Sequence, residues 1–177
     1  MAPLVLLARS APAGIVAADL VTLVDLACLD LGQGAFAWQI ARTALDVWQR
    51  EVSASYNCYE HFIVSTGRGA GWHHFGGLSS PVLAWYGAYF RPGRLTTGFD
   101  AWVEALEIRG DRRALSARLR TAGRPGRKQS LIAALAPEAA YAATWNGERC
   151  PLEVLHPGTC LVRVPCAASG KLEIQSA

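Results

Sequence analysis

Glu60 stands in an aromatic run, Tyr56-Asn57-Cys58-Tyr59-Glu60-His61-Phe62, that leads through the glycine-rich Thr66-Gly67-Arg68-Gly69-Ala70-Gly71 to Trp72-His73-His74. A carboxyl group among aromatic side chains can be tuned by partial burial toward general acid or base work. Aromatic planes also make suitable walls for sugar rings. His61, His73, His74 and Arg68 supply donors for hydroxyl groups or for an acidic aglycone. His73 and His74 are adjacent, so their side chains diverge, which argues against a metal pair and for one packed and one site-facing residue. A glutamate in a loop is more often merely exposed than catalytic, so the neighbourhood of Glu60 decides its reading.

The elements that must position these residues are helical on the N-terminal side. From Ala13 to Leu31, Val16, Leu20, Leu23, Val24, Ala27 and Leu31 recur at helical spacing before Gly32 and Gly34 interrupt the chain. A second helix over about Ala35 to Val52 aligns Trp38, Ala41, Leu45, Trp48 and Val52, and Phe36, Ile40 and Val47 widen that stripe. Periodicity then fails from Ser53 to Leu78, which predicts a long functional loop. Ser79 or Ser80 can cap a third helix that carries Pro81, Val82, Leu83, Trp85, Tyr86 and Tyr89 to about Phe90.

After Gly93 the pattern becomes that of strands: Thr96 to Ile108, Ala114 to Thr121, Ser130 to Leu135, Tyr141 to Trp145, Leu152 to Leu155, Thr159 to Val164 and Lys171 to Ile174. Asn146-Gly147 is a type I′ hairpin signal, and His156-Pro157-Gly158 and Gly123-Arg124-Pro125-Gly126 mark further turns. Helices followed by strands imply segregated α and β parts, with a boundary near residues 92 and 93.

The loop around Glu60 resembles the motif that introduces the catalytic base in six-hairpin glycosidases, most of all the mannosylglycerate-hydrolase-like group, with processing α-glucosidases and trehalases more distant. Glu60, Thr66, Gly67 and Phe75 with its following glycines fall in register with that motif, while His61 and Phe62 depart from it. The resemblance extends from roughly Ala35 to the C-terminus. It implies an α+β chain in which residues 1–92 are C-terminal helices of an (α/α)6 barrel, with the base loop at 53–78, and residues 93–177 form a small antiparallel all-β domain. It also implies an inverting glycoside hydrolase with Glu60 as general base, Trp72, His73, His74 and Arg68 near the sugar, and no cofactor or metal. The general acid of such an enzyme is an Asp well upstream of the base. Asp19, Asp25, Asp30 and Asp46 all lie on predicted helices outside any such motif. The expectation is therefore a truncated portion of a hydrolase, inactive alone, with helix faces bearing Trp38, Trp48 and Trp85 exposed for self-association. A non-catalytic carbohydrate-binding or scaffold protein of the same ancestry is the alternative.

Composition restricts the other classes. Half the residues are apolar and 18% are charged, which excludes a disordered chain. The net charge of +3 gathers in arginines between Arg109 and Lys128, but Leu115-Ser116-Ala117-Arg118-Leu119-Arg120 alternates as the wet face of a strand does. A nucleic-acid-binding β-domain is thus a remote reading, and no nucleic-acid partner is expected. Asp19, Asp25 and Asp30 interrupt the apolar stretch from Gly14 to Leu31, so no membrane span is expected, and the apolar Leu4 to Ala8 has no basic segment ahead of it. The five cysteines contain no C-x-x-C pair, and Cys150, His156, Cys160 and Cys166 are separated by strand alternation rather than gathered for a metal. Reduced thiols fit a cytoplasmic protein.

Overall fold

The computed structural model describes residues 15–16, 18–75 and 80–177, with side chains described for 23–75 and 81–177. The elements in chain order are β1 Ile15–Val16, α1 Ala18–Asp30, α2 Gly34–Ser55, β2 Tyr59–Ile63, β3 Gly69–His73, α3 Ser80–Tyr89, β4 Arg94–Thr96, β5 Ala101–Ile108, β6 Ala114–Thr121, β7 Lys128–Ala134, β8 Tyr141–Trp145, β9 Glu148–Cys150, β10 Leu152–His156, β11 Thr159–Pro165 and β12 Ser169–Ser176. The expected partial (α/α)6 barrel is overturned. Among the described residues there are three helices, and antiparallel sheets dominate. The apolar run at Leu4 to Ala8, the glycines after Phe75 and Ser79 lie outside what is described, while Ile15 and Val16, expected on the first helix, form the strand β1, and Ser80 is the first residue of α3.

The chain divides into two compact units, one holding Phe36–Tyr86 with the described residues up to Asp25, the other Leu26–Ala35 with Gly87–Ala177. In the first unit the predicted loop 53–78 is largely a hairpin. Ser53–Ser55 finish α2, and β2 and β3 pair antiparallel with β1 on the outer side of β2. The hairpin turns where Gly67, at φ 66°, donates to the Ile63 carbonyl at 2.7 Å. Alternation is invisible in the sequence because the residues of β2 are half-buried to exposed on both faces. Trp38 and Trp85 are buried, not exposed as expected from excised barrel helices.

In the second unit, a four-stranded sheet ordered β10-β11-β7-β4 and a five-stranded sheet ordered β5-β6-β12-β8-β9 share one core. Leu115, Ala117 and Leu119 of β6, Leu172 and Ile174 of β12, Leu131 and Ala133 of β7, and Val162 and Val164 of β11 are all at most 2% exposed. Two sheets joined through alternating inward residues form a sandwich. β7 and β11 are covered on their second face too: Gly34 packs on Leu161 and Ser130, and its amide donates to the Ser130 hydroxyl at 3.1 Å, capping α2. The predicted strand Thr96 to Ile108 is two strands in different sheets. Between them Asp30 accepts from the amides of Phe99 and Asp100 at 2.8 and 3.0 Å, and Gly98 leaves room for that carboxylate. Asn146 and Gly147 have φ 52° and 83°, the type I′ geometry their sequence predicts between β8 and β9. No helix among the described residues is long and apolar enough to cross a membrane.

Candidate functional site

The hairpin is fixed to α2 by a carboxylate. Glu51 follows Ile40 and Val47 on the apolar face of α2, and its side chain is 1% exposed. Burial at that depth demands partners. Arg68 Nε donates to Glu51 Oε2 at 2.7 Å and Nη2 to Oε1 at 3.4 Å, while the Gly69 amide donates to Oε2 at 3.1 Å. The Arg68 guanidinium, more than the opposing effect of burial, holds the Glu51 carboxyl below its usual range, with the Gly69 amide helping. The same contact pushes the Arg68 guanidinium further up. Arg68, expected beside a sugar, is thus committed to Glu51 at the turn of the hairpin.

Glu60 lies on β2 with its side chain 41% exposed and Oε2 3.9 Å from His61 Nδ1. The pairing of β2 with β3 shifts between Tyr59 and His61, a bulge that sets Gly71 and Trp72 against Glu60. Gly71 has φ 86°, and a Cβ there would come within 2.8 Å of both Glu60 Oε2 and His61 Cε1. Only glycine leaves that approach open. Tyr59 and His73 are register partners whose rings meet edge to face at 5.2 Å, which defines one face of the hairpin. Alternation puts Glu60 and Trp72 on the other face. Trp72 is 71% exposed and touches Phe75 edge to face at 5.8 Å. His74, at φ 55°, is held at the strand end by its amide, which donates to Asn57 Oδ1 at 2.8 Å.

Of the residues singled out in the sequence, the hairpin therefore brings together Glu60, His61 and Trp72. It turns His73 toward Tyr59, exposes His74 beyond the strand, and spends Arg68 on Glu51. Chemically, the Glu60 face offers an accessible carboxylate acceptor and an indole plane, with the His61 imidazole 3.9 Å from the carboxylate. Two residues that matter here escaped the sequence reading, Glu51 and Gly71. Glu51 left a signal, since an acid four residues after Val47 interrupts an apolar stripe, but Arg68 as its partner did not. Among the described residues no group of three His, Cys, Asp or Glu side chains is placed to hold a metal. No protein-family model matches the chain, and no curated protein matches it.

Proposed function

We propose that the chain binds carbohydrate through the Tyr59–His73 hairpin, with Glu60 in the position of a glycoside-hydrolase base, and that by itself it does not turn sugar over. The observation that carries this reading is the shared face of Glu60 and Trp72, opened by Gly71. Hydroxyl groups of a sugar lying on the Trp72 indole have the Glu60 carboxylate as acceptor and His61 as second partner. The resemblance of the Glu60 motif to that of six-hairpin glycosidases supports the same assignment. Inverting hydrolysis requires a second carboxyl group about 6.5–9.5 Å from the base. Glu51, which anchors this hairpin, is buried and bonded to Arg68 and Gly69, so it cannot serve as a substrate-facing acid.

The test is a panel of α-mannosides and α-glucosides assayed for binding by calorimetry and for hydrolysis by reducing-sugar release. Weak binding lost in Glu60→Gln and in Trp72→Ala, without hydrolysis, is the expected result. Hydrolysis abolished by Glu60→Gln would show that the chain contains its own acid, and binding indifferent to both substitutions would remove the hairpin from the reading.

A further inference from the structure

The outer face of the five-stranded sheet carries a second candidate site, which does not depend on the hairpin. Antiparallel register sets Glu107, Ser116 and Glu173 side by side across β5, β6 and β12, with Ala114 beside Gln175 in the next row. They share the face of Arg118 and Arg120, because the intervening Leu115, Ala117 and Leu119 are buried. The middle strand thus presents two short side chains, Ala114 and Ser116, between longer ones on both neighbours. A groove of about 310 Å³ results, with Glu107 and Arg109 on one wall and Glu173 and Gln175 on the other.

Toward the other end of β6, Trp102 is the register partner of Arg120, whose guanidinium carbon sits 4.9 Å from the ring centroid. The indole stays 46% exposed. Ser116 and Arg120 are four residues apart, or about 13 Å along the strand. An occupant that reaches from the groove to Trp102 is therefore a chain of several units rather than a single small molecule.

Charge within the groove bears on the occupant. Arg118 and Arg120 share Glu104 at 3.8 and 3.9 Å, Arg109 is bonded to Asp111 at 2.8 Å, and Lys171 to Glu173 Oε1 at 2.7 Å. In the groove itself Arg109 is committed to Asp111 and Lys171 to Glu173, whereas Glu107 has no ion-pair partner among the described residues. A phosphate seated in the groove would meet the uncompensated Glu107 carboxylate and be repelled there. A chain rich in uncharged hydroxyls finds carboxylate acceptors there, amide and guanidinium donors in Gln175 and Arg109, and an aromatic plane in Trp102. We propose that this face binds a neutral oligosaccharide, with a sugar ring against Trp102 and hydroxyls hydrogen-bonded in the Glu107–Ser116–Glu173 groove.

The experiment titrates the full ¹⁵N-labelled chain with cellohexaose, maltohexaose and mannohexaose, and separately with oligo-dT, following amide shifts. At least one hexaose is expected to move amides of β5, β6 and β12, with affinity about tenfold or more lower in Trp102→Ala and in Glu107→Gln. The double variant Glu60→Gln, Trp72→Ala should leave those shifts in place, which separates this site from the hairpin. Should Trp102→Ala fail to fold, Glu107→Gln at its exposed position and the wild-type shift map still decide the matter. No response of this sheet to any hexaose overturns the proposal, as does a response to oligo-dT alone that salt abolishes.

Discussion

The two sheet systems of this chain are held by different physics. In the sandwich unit, Leu119, Leu131, Val164 and Leu172 are fully buried at the shared core, and their contribution scales with apolar area removed from water. In the hairpin unit, the strands are half exposed and the turn is tied down by one buried carboxylate bonded to a guanidinium and an amide. Apolar burial gives stability that hardly depends on pH. A polar anchor contributes less stability but sets position and answers to protonation. The hairpin thus keeps side chains such as Glu60 and Trp72 accessible without losing its register.

Breaking each region should expose this contrast. Leu172→Ala in the sandwich core should cost about 2–5 kcal/mol, the range for large-to-small substitutions at tightly packed sites, read as a lower urea midpoint for the unit. Glu51→Gln should cost less, about 1–3 kcal/mol, because Arg68 can return to water while the Gly69 amide loses a charged acceptor. Its signature is local: amide exchange at Ile63 and Gly69 accelerates while amides of β7 and β11 keep their protection. Equal acceleration in both would mean that Glu51 supports the whole chain rather than the hairpin.

Acid sharpens the same contrast. The folded-state carboxyl of Glu51 titrates below its unfolded value. Its stabilisation is therefore complete above the unfolded carboxylate pKa and is lost as pH falls through the folded one. Hairpin amides should lose protection on acidification below the ordinary carboxylate range, and Glu51→Gln should flatten that dependence. The smallest effect concerns thiols. Burial pushes the Cys160 thiol up to about 11 and leaves no exposed surface, so a disulfide reagent at neutral pH should modify the partly exposed Cys58 and Cys150 before Cys160. Early reaction of Cys160 would show that β11 opens readily.

Several strands and turns after Gly93 were legible, though not their division between two sheets. The alternation from Leu115 to Arg120 and the Asn146-Gly147 turn are local signals that survive folding unchanged. The division between β4 and β5 was not, because it depends on Asp30 reaching the amides of Phe99 and Asp100 from about seventy residues away in sequence. Nor was the hairpin, whose strands bury neither face well enough to alternate. The barrel expectation rested on one segment around Glu60, and a single segment does not dictate the surrounding architecture. Glu60, His61 and Trp72 could be named from sequence as chemistry, but Arg68 was misplaced, since a buried Glu51 competes for its guanidinium.

The most direct test of the central reading is an amide-shift titration of the full chain with methyl α-mannoside and methyl α-glucoside, monosaccharides too short to bridge the sandwich groove and Trp102. Shifts concentrated at Glu60, His61, Gly71 and Trp72, and abolished in Glu60→Gln, are the predicted result. Shifts absent from residues 57–75 with both glycosides would contradict carbohydrate recognition by the hairpin.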